Sequence, residues 1–172
     1  MDSAVVTERV TRALKGDATV FSEVAADESH MGTTAVIVAI IGFVGGLLNG
    51  VFNDTTGIIG GAIGGIVGAY VAWVVGTGIF YALAKMFGGE GDFQGLMRGN
   101  AYAAVPSALG GIPFLGILIA LWGVYLFILN VRENMALTMG KAAAVVLIPV
   151  AIVFLLVFLL AVFLVAALSG IG

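Results

Sequence analysis

Ala101-Tyr102-Ala103-Ala104-Val105-Pro106-Ser107-Ala108-Leu109-Gly110-Gly111 decides how many times this chain crosses a bilayer. Only Ala101 to Leu109 is cleanly apolar, and Pro106 interrupts it by removing a backbone donor. Read as a crossing, the segment makes five spans. Read as a re-entrant half-helix, it leaves four and moves every later loop to the other side.

Working outward, the flanking runs are plainer. Met31 to Phe52 makes about 33 Å of helix, enough for a hydrocarbon core of about 30 Å. Ile58 to Phe87 is longer than needed, so it tilts or leaves its Lys85 end among the headgroups. The Gly88-Gly89-Glu90-Gly91-Asp92 connection leads to a half-polar helix carrying Arg98 and Asn100. Pro113 suits the first helical position of the next span, and Pro149 sits inside the last. The reading is an all-α polytopic helix bundle with spans at about 31–52, 58–87, 95–109, 112–130 and 142–168.

Charge chooses between five spans and four. With five, Arg9, Arg12, Lys15, Lys85, Arg98, Arg132 and Lys141 all lie on one side; with four, Arg132 and Lys141 move across. The lysine and arginine bias therefore favours five, with the N-terminus in the cytoplasm and the C-terminus opposite.

Composition agrees. Of 172 residues, 61% are hydrophobic and 10% charged, and the mean hydropathy is +1.18, so the bilayer is the solvent. Residues 1–30 form a cytoplasmic amphipathic segment set against a membrane domain over 31–172. Within it, Val6, Val10, Ala13 and Leu14 share one helical face before Gly16, and Val20, Phe21 and Val24 group between Asp17 and Asp27. Both pieces read as short helices on the membrane surface. The tail is acidic, so it is no nucleic-acid clamp, and no cleavage is expected.

Glycines mark the packing faces. Gly42, Gly46 and Gly50 repeat every fourth residue in the first span; Gly57, Gly61 and Gly65 form one row of the second, and Gly60, Gly64 and Gly68 another. Such rows let backbones touch, either within the chain or in a homo-oligomer, and Gly64→Leu is expected to disrupt fold or assembly. Pro106, Pro113 and Pro149 mark helix breaks, and the carbonyls freed near Tyr102 and Val145 need other donors.

Chemistry is nearly absent. The chain has no cysteine and one histidine, His30, read as a surface residue at a span edge. No catalytic constellation, metal set or cofactor loop can be assembled, so an enzyme is not expected and no cofactor is implied. Charged residues cluster instead at cytoplasmic span ends, where Arg98, Asn100, Arg132, Glu133 and Lys141 form a candidate patch for a protein or lipid partner. Membrane lipids are the remaining contact. A non-enzymatic adaptor or membrane-organising protein is the leading reading; the competing one is a small-solute or lipid transporter or channel using glycine-rich and proline-broken helices.

The stretch Ala101-Tyr102-Ala103-Ala104-Val105-Pro106, followed by Gly111-Ile112-Pro113-Phe114-Leu115-Gly116, Trp122-Gly123-Val124-Tyr125, Arg132-Glu133-Asn134 and Gly140-Lys141-Ala142, resembles the Yip-domain family of five-span membrane proteins. The lead-in Val20-Phe21-Ser22-Glu23-Val24-Ala25-Ala26-Asp27 is similar to that of prokaryotic members. The resemblance implies a five-span bundle with a cytoplasmic N-terminus. Eukaryotic relatives bind prenylated Rab-type GTPases in vesicle traffic, but this chain lacks their Asp-Leu-Tyr-Gly-Pro segment, so that partner is not carried over. A prokaryotic-type member in the cell membrane fits better.

Overall fold

The computed structural model describes residues 3–53 and 57–169, so the expected turn at Asn53 to Gly57 falls partly outside the described residues. Seven α-helices are described: α1 (Ser3–Leu14), α2 (Thr19–Ala26), α3 (Met31–Asn53), α4 (Gly57–Met86), α5 (Phe93–Ala103), α6 (Leu115–Asn134) and α7 (Met139–Ser169). Two 3-10 turns, Glu28–His30 and Val105–Leu109, precede α3 and follow α5. Local signals set several boundaries. Gly16 and Gly88 adopt φ of 77° and 86°, and in each case paired reverse bonds close the helix end: Gly16 N to Ala13 O with Asp17 N to Arg12 O, and Gly88 N to Lys85 O with Gly89 N to Ala84 O. Asp92 caps α5 by accepting from Gly95 N at 2.8 Å.

Four helical stretches, Glu28–Phe52, Gly57–Met86, Leu115–Asn134 and Met139–Ser169, are long and apolar enough to cross a membrane. The expected third span is not one such helix. Its α-helical part ends at Ala103, and Pro106, second in the 3-10 turn, has no N–H to continue the ladder. Together α5 and the turn rise about 27 Å. They run up beside α3 until Gly111 meets the backbone of Leu48 and Asn49, about 6 Å short of the end of α3.

Two further expectations are corrected. Pro113 does not start α6, because Phe114 takes a left-handed φ of 64° and helix begins only at Leu115. Pro149 does not break α7, which runs through it to Ser169. A lipid-embedded backbone has no water to turn to, so the helix keeps its remaining bonds and tolerates one lost donor.

The α3–α4 hairpin is the tightest contact. A Cβ placed on Gly42 would stand 2.5 Å from Gly65 O, and one on Gly50 would stand 2.7 Å from Gly57 O; Gly46 and Gly61 oppose each other still more closely. Gly64 and Gly68 have nothing within 4 Å of such a carbon. The packing row of α4 is therefore Gly61 and Gly65, with Gly57 offering its carbonyl to Gly50, and Gly64 does not take part in packing within the chain.

Exposed apolar side chains run from Ile58 to Ile79 on α4 and from Leu147 to Leu168 on α7, each about 33 Å of helix. Both stretches match a hydrocarbon core, and both stop toward the same end of the bundle. At that end a second core of Ala84, Leu96, Val131, Met135, Ala142 and Val145 joins α4, α5, α6 and α7. The N-terminal helices, expected on the membrane surface, pack against the bundle. Val20, Phe21 and Val24 of α2 and Ala13 of α1 are fully buried against Tyr102, Ala103, Leu126 and Leu129, Val6 and Val10 are partly buried beside them, and Leu14 stays exposed.

Gly61→Leu is expected to cost about 3 kcal/mol or more through forced overpacking, whereas Gly64→Leu leaves stability nearly unchanged. Thermal unfolding of both variants in detergent checks this; equal losses would refute the assignment of the packing row.

Candidate functional site

Polar side chains inside the bundle form one ladder across three helices. Asn134 Nδ2 donates to Asn130 Oδ1. Asn130 Nδ2 donates to Asn100 Oδ1 at 2.7 Å, and Asn100 Nδ2 to Thr77 Oγ1 at 2.8 Å. Thr77 in turn donates to Trp73 O at 2.6 Å, and Trp73 Nε1 reaches across to Met97 O at 2.7 Å. Each amide meets a neighbour because one polar residue is set into the facing surface of each of α4, α5 and α6. Gly99 makes room, since a Cβ there would collide with the Asn130 and Asn134 amides. Among the described residues, no buried side-chain nitrogen or oxygen lacks a partner, as a low-dielectric interior requires.

Above the ladder lies a cavity of about 230 Å³, walled by Val38, Ile41, Ala72, Phe80, Ala104 and Phe127, with Thr77, Asn100 and Ser107 among its lining. It lies beside the point where the α-helix of α5 gives way to the 3-10 turn, with Ala104 and Ser107 of that segment in its lining.

Arg98 and His30 tie the N-terminal helices to this centre. Arg98, only 3% exposed, donates Nε to Val24 O at 3.2 Å and Nη2 to Ala25 O, placing a cation on the negative end of α2. His30 Nε2 and Tyr102 Oη lie 2.8 Å apart, hydrogen-bonded. His30 is 8% exposed rather than a surface residue. Trp122 Nε1 donates to Leu14 O at 3.1 Å.

The candidate patch is divided by the fold. Arg98 and Asn100 are buried and occupied, Arg132 pairs with its neighbour Glu133, and Lys141 Nζ donates to Phe87 O at 2.9 Å from an exposed position. Arg132, Glu133 and Lys141 remain accessible at the basic end. Thr77, Asn130, Trp73 and Gly99 were not singled out from sequence, and Tyr102 was noted only for its backbone carbonyl and in the family stretch. The signal for Thr77 and Asn130 was present, as isolated polar residues within apolar helices; that they meet at Asn100 depends on helix rotation.

Exposed ion pairs shape the N-terminal hairpin. Arg12 bonds Asp17 at 2.8 Å and Glu23 at 2.7 Å, and Arg9 bonds Asp27 at 3.0 Å. The Asp17 carboxyl is held below its ordinary value by the Thr19 hydroxyl and then by Arg12. Arg12 does the same to Glu23, and Ser29 followed by Arg9 does so to Asp27.

An all-helical chain with several lipid-length apolar helices is an integral, multi-pass membrane protein, and its outward faces contact lipid. A family model, the Yip1 domain, matches residues 18–168, and the chain belongs to that family. No curated protein and no solved structure matches it.

Asn130→Leu leaves the Asn100 and Asn134 amides short of a partner and is expected to destabilise the bundle by about 1 to 3 kcal/mol; unfolding in detergent that matches the unmodified chain would contradict the ladder. Because Asp17, Glu23 and Asp27 have depressed values when folded, their contribution is present at neutral pH and is lost as pH falls below about 4 and through those lowered values. Protease accessibility of residues 15–19 should rise over that window in detergent at fixed salt. A flat profile, or a rise on the alkaline side instead, would remove the ion pairs from the docking of α1 and α2.

Proposed function

We propose that this chain is a non-enzymatic adaptor or membrane-organising protein of prokaryotic type, in the cell membrane, which engages a protein or lipid partner at its cytoplasmic end. The carrying observation is the collection at one end of the docked α1 and α2, the ends of α4 and α6, the start of α7, and the lysines and arginines on them. That end is the cytoplasmic one by the charge bias. It presents Arg132, Glu133 and Lys141 outward on a rigid support of buried amides, which suits recognition by surface rather than by a chemical centre. A solute path is less well supported, because the polar groups inside the bundle bond to one another and the cavity beside them has apolar walls.

The same reading takes α5 with its 3-10 extension as the third of five passes and α6 as the fourth, which leaves N- and C-termini on opposite sides. The tip at Gly111 beside Asn49 supports it, lying close to the far end of the α3–α4 hairpin.

Two arms test the proposal, and a chain without cysteine makes both clean. A cysteine at Phe114, 94% exposed, is expected to react with a membrane-impermeant maleimide from the side opposite the N-terminus; protection from both sides would mean a re-entrant hairpin. Crosslinking in native membranes is expected to capture a partner that Arg132→Glu with Lys141→Glu releases. Capture unaffected by charge reversal would exclude that surface.

A further inference from the structure

The cavity beside Asn100 has the polarity profile of a lipid. Its walls, from Ala69 and Ala72 on α4 to Val38 and Ile41 on α3, are mostly apolar, the Ser107 hydroxyl being given to Ala104 O, while Thr77 and Asn100 lie toward the end where exposed apolar side chains give way to the basic residues. A lipid of that leaflet carries its ester carbonyls at the same end and sends its chains the same way. Size allows a segment of one chain: an apolar void of about 150 Å³ already admits a benzene ring, and this one is about 230 Å³. A route exists as well. A shallow crevice between α4 and α7, lined by Gly76, Ile79, Phe80 and Pro149, shares Gly76 and Phe80 with the cavity. Beyond Pro149 the side chains of α7 face outward on nearly all sides, so lipid has access to this seam, with Phe80, edge-on to Phe127 at 5.7 Å, standing between seam and cavity.

Hydrogen-bonding capacity supplies the head of the site. The Asn100 amide gives one N–H to Thr77 and takes one from Asn130, which leaves it a second N–H. We propose that the cavity holds a segment of one acyl chain of a diacyl phospholipid from the leaflet on the basic side, with an ester carbonyl of that lipid accepting from Asn100 Nδ2. The site requires neither a protein partner nor the exposed basic residues, so it stands apart from the adaptor reading.

The test uses the full chain in phospholipid nanodiscs doped with a phosphatidylcholine bearing a diazirine on one chain. After irradiation, labelled peptides from residues 100–104 are expected alongside labelling of the lipid-facing surfaces of α4 and α7, and Ala72→Leu, which fills the cavity from a lipid-exposed position, should remove the first while sparing the second. A diether analogue, which lacks the carbonyls, is expected to label the cavity about fivefold less, the effect of one hydrogen bond, with α7 labelling unchanged. Labelling confined to α4 and α7, or labelling of residues 100–104 indifferent to Ala72→Leu, would overturn the site; equal labelling of residues 100–104 by ester and ether probes would overturn the role of Asn100. Should Ala72→Leu fail to fold, the ester and ether comparison on the unmodified chain still decides.

Discussion

Backbone contact between α3 and α4 is the constraint on which the rest of the bundle depends. Lipid gives apolar side chains little reason to associate, so the gain must come from dispersion at close range and from weak backbone hydrogen bonding. Gly46 against Gly61 and Gly42 against Gly65 provide that range. The hairpin they create presents Trp73 and Thr77 on one face of α4, and those two side chains receive α5. Were the hairpin to rotate, Thr77 and Asn100 would be left as separate polar groups in a low-dielectric interior, a costly arrangement.

The break after Ala103 falls beside the interior cavity, which Ala104 and Ser107 line together with Val38 and Ile41, while Val105 and Ala108 pack into the adjoining core. Proline is tolerated there because α3 and α6 flank the segment and shield its irregular backbone from lipid. The same proline thus limits the α-helix, whereas Pro149, in a helix whose next turns face outward, changes little. Context, and not the residue type, separates the two.

At the basic end the molecule behaves more like a small soluble domain than like a membrane span. Arg98 is neutralised by carbonyls at the C-terminal end of α2 rather than by a carboxylate, which spares the interior a buried acid. The partly exposed pairs of Arg9 and Arg12 shape the α1–α2 hairpin and contribute modestly to its stability, since solvent reaches them. Burial of Phe21, Val20 and Val24 holds the hairpin in place. An amphipathic pattern of this kind reads equally well as a helix on a bilayer or on a protein, because both offer an apolar surface beside water.

Sequence alone determined the helical class, the bilayer as solvent, the family, and the gathering of lysines and arginines at helix ends, because hydropathy and charge asymmetry are summed over long segments and do not depend on rotation. It also marked Gly16 and Pro106 as stops, since those residues act on their own backbone. Tertiary structure decided which glycine row touches α3, that Arg98 and Asn100 face inward, that His30 meets Tyr102, and that α1 and α2 dock on α5 and α6. Each of these is a question of helix rotation and of which surface an apolar face finds. One turn of helix holds every orientation, so no composition or spacing could choose among them; the choice came from where close packing and satisfied hydrogen bonds could be had together.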